Sequence, residues 1–434
     1  MAKISNISGF PEWLPQDKRT EDELIAKVKA VYESFGFTPI ETPAVELVST
    51  LAAKGVLAQE IFGLHRLQAE PGEREADLAL HFDLTVPFAR YVAQHYHELD
   101  FPFKRYQLQK VWRGDRPQKG RFREFYQFDV DTICRDELPL AADAEVLTVL
   151  DTAFSAMAVA PHLLYINSRK VLQGIYQGLG IAPEAHPAVI VAVDKFHKVG
   201  AAGVSSELAQ IAGVPAESIG TVLKCATICV PAAEIESLPA LLAVKGALLD
   251  EGLSELKAIL QLLPSAVAAR IQLDFSLARG LAYYTGLITE VRFPDHPEFG
   301  SVGGGGRYDD LTGSFLKAKL PGVGMSIGLT RIMDLVIGKK LLPSTRRSPS
   351  QVLVSVYDET QRGQCNACAE RLRSSGIAAE VYLTSLKLGK QIEYAERKGI
   401  PYVLFIKSDG QMEMKDLRSK EQHLVHDLAA WRPS

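Results

Sequence analysis

The chain has 434 residues, of which 47% are hydrophobic and 23% charged, and a formal net charge of −4. That length exceeds one ordinary core, so two or three domains are expected, and the charge excludes a global basic field; any RNA-binding surface must be local. Five cysteines, an odd number in so long a chain, argue against a disulfide framework and for the reducing cytoplasm.

The N-terminal stretch MAKISNISGFPEWLP has neither the apolar core nor the cleavage site of a secretory signal. Between Glu21 and Phe35 apolar residues recur at helical spacing (Leu24, Ile25, Val28, Val31, Tyr32), and Gly36 supplies the stop. Phe37 to Glu46, FTPIETPAVE, is extended and broken by prolines, as suits a sheet edge or an interface strand. Leu78 to Asp83 has strand character, and Thr85 to Pro87 opens a helix running through Ala89, Tyr91, Val92 and His95. Asp83 and Thr85 have two readings. They cap that helix, or they join an amide oxygen such as that of Gln127 around an ammonium group.

Val111 to Asp131 follows as VWRGDRPQKGRFREFYQFDVD, two alternating segments around a Gly/Pro loop. The loop carries Arg113, Arg116, Lys119, Arg121 and Arg123. On the return strand Phe125, Gln127, Asp129 and Asp131 share one face, and Tyr126, Phe128 and Val130 the other. Arginine-rich loops are usually solvated surface, and such a strand face can also meet plain water. A cationic tip leading into a wall of amide and carboxylate also suits a ligand with a polyphosphate at one end and an ammonium at the other. ATP beside an amino acid has that form.

A long helix is expected from about Ala141. The most apolar window, Val146 to Ile166, is broken by Asp151, Pro161 and His162 and reads as a buried helix entering a strand rather than a membrane span. Residues 170–264 read as several helices, an inserted module in which Cys225 and Cys229 are buried thiols. Strand character returns from Ile271 to Phe293. Within it, LARGLAYYTGLITEV sets Arg279 among apolar residues, either as a fixed cation in a cleft or paired with an acid such as Asp274. Alternation puts Tyr283 and Tyr284 on opposite faces. SVGGGGRYDDL then places four glycines, Gly303 to Gly306, where backbone can approach a ligand closely. Neither the dinucleotide GxGxxG pattern nor GxxxxGK[ST] is present. PGVGMSIGLTRIMDLVIG reads as an apolar helix loosened at its start by Gly322, Gly324 and Gly328, with Arg331 near the phosphate-favouring end. After the basic linker GKKLLPSTRRSPS, strands at Gln351–Val356, Ala378–Leu383 and Pro401–Ile406 alternate with helices, predicting a small α/β domain. Cys365 and Cys368 have CxxC spacing but lie in a helical pattern with neither a second pair nor a nearby histidine pair, and a zinc site is not expected there.

In this order the segments resemble the class II aminoacyl-tRNA synthetases, most closely the histidyl-tRNA synthetase family, over nearly the whole chain. FGFTPIETPAVE is similar to the class's first motif, which forms the dimer interface, VWRGDRPQKGRFREF to its second and GVGMSIGLTRI to its third. LARGLAYYTG, GGGRYD and the pairing of LHFDLT with FYQFDVD are the histidine-specific marks. The resemblance implies an α+β core, an antiparallel sheet flanked by helices, with a helical insertion and a C-terminal α/β anticodon-binding domain on a mostly parallel sheet. The implied division is 1–169 and 265–337 for the catalytic core, 170–264 for the insertion, 338–350 for the linker and 351–434 for the anticodon-binding domain.

The implied activity is ATP-dependent ligation of L-histidine to tRNA(His) through a histidyl-adenylate, releasing AMP and pyrophosphate. Mg2+ would accompany ATP, with no structural metal, in a cytoplasmic homodimer free of the membrane. By position, Arg113 and Arg279 are the catalytic cations, Arg279 acting at the α-phosphate. Arg113, Arg121, Arg123 and Arg331 would hold phosphates, and Phe125 would stack on adenine. The histidine site would comprise Asp83, Leu84, Thr85, Arg113, Gln127, Asp131, Arg279, Tyr283 and Tyr284, with Asp131 and Tyr284 at the imidazole. Arg116 and Gln118 would approach the tRNA acceptor end. Three positions depart from the family: Ala282 replaces the acid of RGLDYY, His81 an arginine, and Thr330 a glutamate. The competing reading is a non-catalytic, histidine-sensing paralogue that regulates ATP phosphoribosyltransferase. Such paralogues usually lack the terminal domain and the phosphate-binding arginines present here.

Overall fold

The computed structural model describes residues 5–52, 61–68, 77–278, 283–310, 312–313, 315–343 and 347–433. These form two compact units, residues 1–12 with 24–342 and residues 13–23 with 343–434. Among the described residues no helix is long and apolar enough to cross a membrane.

Helix α1 (Pro15–Ser34) leads into the short strands β1 (Thr38–Pro39) and β2 (Val45–Leu47), helix α2 (Val48–Ala52), β3 (Gly63–Leu64), β4 (Leu78–Leu80) and helix α3 (Thr85–Gln94). The hairpin is built from two ten-residue strands, β5 (Phe103–Trp112) and β6 (Glu124–Ile133). Next come α4 (Leu140–Met157), β7 (Leu163–Ser168) and a run of helices: α5 (Arg169–Gly178), α6 (His186–Asp194), α7 (Phe196–Leu208) and α8 (Ala216–Ala226). Strand β8 (Cys229–Pro231), α9 (Leu238–Leu242), α10 (Ala247–Leu262) and α11 (Ser265–Ala268) precede β9 (Ile271–Asp274), β10 (Tyr284–Arg292), β11 (Ser301–Tyr308), β12 (Gly322–Gly328) and α12 (Leu329–Lys339).

Nine strands join in the order β1-β5-β6-β12-β11-β10-β7-β9-β8. All pairs are antiparallel except β1 with β5 and β7 with β9. One face of the sheet is apolar. Phe128 and Val130 are fully buried on it, and the Tyr32 ring of α1 meets Phe128 edge-on at 5.0 Å. Helices α4 and α12 also pack behind β6. The other face carries the polar alternate residues of β5 and β6 and the glycines of β11 and β12. Strands β2, β4 and β3 form a separate antiparallel sheet.

Two expectations are corrected here. Gly322 to Gly328 is not the start of a helix but an interior strand between β6 and β11. Its glycines answer to close packing rather than to helix loosening: a Cβ on Gly324 would lie 1.8 Å from Oδ1 of Asp131. The stretch 170–264 is not wholly helical, because Cys229–Pro231 extends the sheet as an edge strand, a place where proline is tolerated.

The second unit holds a five-stranded sheet of β13 (Val352–Val354), β14 (Ala379–Val381), β15 (Tyr402–Ile406), β16 (Met412–Asp416) and β17 (Gln422–Leu424) in the order β14-β13-β15-β16-β17. Strand β13 runs parallel to β14 and β15, and the last two strands add antiparallel. Helices α13 (Arg362–Ser374) and α14 (Leu388–Lys398) connect the parallel strands. Cys365 and Cys368 lie on the buried face of α13, in the core of this unit.

Candidate active site

The register of the sheet arranges the open face in rows. Arg105 of β5 lies opposite Asp131 of β6, which faces Gly324 and then Gly306. One step along, Gln107, Asp129, Ser326, Gly304 and Glu290 form a second row; Gln109, Gln127 and Gly328 form a third. Small residues on β11 and β12 leave the floor hollow. Above it is a cavity of about 320 Å³, lined among others by Asp83, Thr85, Arg113, Phe125, Gln127 and Asp131.

At one end the lining is acidic and buried. Asp83, Asp129 and Asp131 are each no more than 3% exposed. Asp83 caps α3, where Oδ1 accepts from the N–H of Val86 in the first turn, and its Oδ2 is buried without a hydrogen-bond partner among the described residues. Burial pushes the Asp83 carboxyl up to about 6, against the opposing pull of the Val86 N–H and the Arg113 charge. Burial likewise pushes Asp131 up to about 6, with Arg105 opposing and Asp129 adding to the rise. Asp129 is also raised by burial, opposed by Arg105. Three carboxylates crowded in low dielectric lack a full complement of cations, a field suited to a cationic ligand group. The hydroxyl of Tyr308 donates to Oδ1 of Asp131 (3.1 Å), and Nη2 of Arg105 lies 2.7 Å from Oδ2.

Tyr283 and Tyr284 do not point to opposite faces. Tyr283 precedes β10 and escapes its alternation, and the two rings meet edge-on at 5.0 Å over one apolar cluster. Tyr284 lines the cavity, whereas Tyr283 packs behind it and hydrogen-bonds Thr85. Burial and the neighbouring Asp131 charge raise the Tyr284 hydroxyl, so it stays protonated and able to donate. Leu84 is fully buried at the cap of α3, leaving only backbone to meet a ligand.

The other end is cationic and belongs to loops and a helix start. Arg113 donates from Nε to the Phe82 carbonyl (3.0 Å) and from Nη2 to Oε1 of Gln127 (3.2 Å), with its guanidinium 5.1 Å from the Phe125 ring centre. The Gln127 amide donates in turn to Ser326 (2.9 Å) and Asp129 (3.2 Å), which fixes its orientation. Arg331, in the first turn of α12, donates from Nε to the Gly120 carbonyl (2.6 Å) and from Nη1 to the Ser301 carbonyl. Gly120 has φ +68°, a turn conformation open to glycine, and its N–H donates to Asp334 (3.1 Å). Arg121 is exposed and lines the cavity. Arg123 does not: its Nε is held by the Asp115 carbonyl (3.1 Å) and its main-chain N–H by Gly9 (2.8 Å). Arg116 and Gln118 are exposed at the loop tip, away from the lining. Arg279 and Ala282 lie outside the described residues. Asp274, the candidate acid for Arg279, is already paired with Arg292 (3.0 Å) and Ser276.

Sequence reasoning placed Asp129 on the polar face without a role of its own and passed over Arg105, Ser326, Glu290 and Tyr308 as site residues. Arg105 and its row-mates had a visible signal, since Arg105, Gln107 and Gln109 alternate along β5 as Asp131, Asp129 and Gln127 do along β6. Of the departures, His81 is fully buried with Nε2 on the Lys110 carbonyl (2.7 Å), and Thr330 accepts the Tyr126 N–H (2.8 Å). Cys229 is exposed rather than buried, because it opens an edge strand; Cys225 is buried. Among the described residues no group of three or more His, Cys, Asp or Glu could hold a metal ion.

Residues 9–332 match the family model described as histidyl-tRNA synthetase, and residues 351–430 that of the anticodon binding domain. The chain is 45% identical to the histidine–tRNA ligase of Thermobifida fusca (strain YX), covering 98% of this chain and 97% of that one. It is 39% identical to the histidine–tRNA ligase of Micrococcus luteus, covering 100% and 97% respectively. The crystal structure of histidyl-tRNA synthetase from Nostoc sp. PCC 7120 superposes with a TM-score of 0.86 at 35% identity, covering 99% of this chain and 98% of that one. A Bacillus halodurans protein described as an ATP phosphoribosyltransferase regulatory subunit/histidyl-tRNA synthetase shares the fold, with a TM-score of 0.74 at 19% identity over 90% of this chain and 96% of that one.

Proposed function

The chain belongs to the histidyl-tRNA synthetase family, and from that premise we propose that it charges tRNA(His) in two steps through a histidyl-adenylate, releasing pyrophosphate and then AMP. The observation that carries the reading is the placement of three buried carboxylates and a cationic loop at opposite ends of one cavity on one sheet face.

In this reading the α-ammonium of histidine takes the acceptors of Asp83, Thr85 and Gln127. Asp131 and Tyr284 meet the two imidazole nitrogens. Arg113 bridges the substrate carboxylate and the α-phosphate, Arg121 and Arg331 hold the outer phosphates, and Phe125 stacks on adenine. Arg279 remains assigned to the α-phosphate by family pattern. For Arg123 the hydrogen bonds to Asp115 and Gly9 favour a role in shaping the loop. The histidine carboxylate attacks the α-phosphorus in line; a P–O bond forms as the bond to the β-phosphate oxygen breaks, and the electron pair leaves with pyrophosphate. An oxyanion nucleophile requires no general base, so positioning and charge neutralisation are what the protein must supply. The ribose hydroxyl at the tRNA 3′ end then attacks the carbonyl of the mixed anhydride; its proton passes to the phosphate of the departing AMP as the C–O bond to that phosphate breaks.

ATP would bring Mg2+, which neutralises phosphate charge. The donor set fits a metal that arrives with its substrate, because Mg2+ usually takes one or two carboxylates plus phosphates and water, and Glu290 is a carboxylate on the cavity floor beyond Asp129. We assign residues 1–169 and 265–337 to the catalytic core, 170–264 to an insertion, 338–350 to a linker and 351–434 to tRNA binding. A cytoplasmic homodimer through the segment around β1 and β2 is also proposed, supported by the exposed Val45, Leu47 and Leu78 on the small sheet; its mass in solution tests it.

Histidine-dependent exchange of pyrophosphate into ATP is the decisive assay. Exchange with histidine alone among the amino acids is expected. Folded protein inactive with every amino acid would return the chain to the regulatory reading.

A further inference from the structure

Arg105 is 0% exposed and does not line the cavity, yet it stands directly behind the carboxylate assigned to the imidazole. Its Nη2 lies 2.7 Å from Oδ2 of Asp131, and its guanidinium packs 4.0 Å from the centre of the Phe88 ring. Its other arm starts a chain of hydrogen bonds that runs from buried to partly buried groups. Nη1 donates to Oε1 of Gln107 (3.1 Å), Gln107 donates to Oε1 of Gln109 (2.6 Å), and Gln109 donates to the Thr42 carbonyl (2.7 Å). The direction of this chain is forced, since a guanidinium can only donate and a carbonyl can only accept. Arg105 is therefore held in place whether or not the cavity is filled.

We propose that Arg105 is a positioning residue for histidine selection: it fixes Asp131 as a carboxylate aimed at the imidazole without touching the substrate. The proposal rests on the reading of Asp131 as the imidazole contact. Asp131 faces Arg105 from β5, Tyr308 from β11, Tyr284 from β10 and Asp83 from the turn before α3, with Asp129 on its own strand. Tyr283 and, from behind the sheet, Tyr32 also sense its charge. Of these groups only Arg105 is a cation. Arg105 meets Oδ2 as an ion pair, its Nε and Nη2 making no hydrogen bond among the described residues, and Tyr308 hydrogen-bonds Oδ1, so lone pairs of both oxygens are left for an imidazole N–H. A site built to hydrogen-bond a substrate N–H rejects side chains that lack one.

The test is pyrophosphate exchange by the full chain over pH 5.5–8 for R105M, R105K, D131N and the corresponding double variants, with folding followed by thermal unfolding. R105M should raise the histidine KM about tenfold or more, as expected for a lost charge-assisted contact, and leave the ATP KM within about twofold. The acid limb of kcat/KM for histidine should move to higher pH by about one unit, because Asp131 loses the cation that favours its ionised form. R105K keeps the charge and should recover most of the limb position. Adding R105M to D131N should change the histidine KM little. Folded R105M with an unmoved histidine KM and limb refutes the proposal. Should R105M not fold, R105K decides: its smaller rise in histidine KM must vanish in the D131N background, and a rise that persists there, or none in the parent, refutes it. D131N with an unaltered histidine KM removes the imidazole assignment itself, whatever Arg105 does.

Discussion

At the acidic end of the cavity each polar group is buried within or against a strand and already has a structural partner: Asp131 between Arg105 and Tyr308, Gln127 between Arg113 and Ser326, Asp83 on the first turn of α3. At the cationic end the donors sit on a loop and a helix start and are satisfied by backbone carbonyls, Arg331 by Gly120 and Ser301, and Arg113 in part by Phe82. In the first arrangement β-register places Asp131 and Gln127, and the start of α3 places Asp83. In the proposed reading the second would exchange carbonyls for phosphate oxygens on binding ATP. On that reading, amino-acid recognition would be preorganised, and nucleotide binding would carry a local rearrangement.

Arg113 belongs to both ends, so it tests the division most severely. Arg113→Ala should lower kcat in pyrophosphate exchange by about 10²–10³-fold, the range for losing a donor aimed at developing charge, and should weaken both substrates. A loss confined to the KM of one substrate would break the idea that this side chain joins the two ends.

Asp83→Asn asks whether the acidic end acts through charge or only through helix capping. Asparagine still caps, so the thermal midpoint should move little, while the KM for histidine rises about 10–100-fold from the loss of a charged acceptor. An unfolding midpoint that falls while KM stays constant would leave Asp83 as a cap alone.

The same contrast explains what the sequence made legible. The polar face of β6 was readable because alternation over ten residues has one geometric meaning, and the structure brings Phe125, Gln127, Asp129 and Asp131 to one cavity. Arg105 carried the same pattern on β5, but its meaning depends on pairing across strands, which no single segment reveals. Strand β12 was misread because its apolar run is also compatible with a helix; only the approach of Asp131 over Gly324 explains the glycine. Arg123 reads like the other loop cations in sequence; that its Nε is held by the Asp115 carbonyl is a contact no single segment reveals.

Arg331→Ala should act on the nucleotide alone. Losing its ties to Gly120 and Ser301 along with its charge should raise the KM for ATP about tenfold and leave that for histidine within about twofold. Equal effects on both would mean that the loop also shapes the acidic end.

The smallest effect is one of pH. Asp83 and Asp131 are both raised to about 6 from an ordinary 3.8, chiefly by burial. A carboxylate raised on folding binds protons more tightly in the folded than in the unfolded chain, so these two groups cost stability at neutral pH. That cost is relieved as pH falls from about 6 toward 4. Histidine binding has the opposite sign on the proposed reading, in which the ammonium and imidazole need the ionised forms. For one carboxylate titrating near 6, the KM for histidine should rise about fourfold between neutrality and pH 5.5, and further if both titrate together. Free histidine also titrates in this range, so the informative quantity is the difference between parent and D83N, in which the substrate's own titration cancels. D83N should show a shallower limb from a higher starting KM. Identical limbs would mean that Asp83 is already ionised throughout, and that the acidic end is better neutralised than its burial suggests.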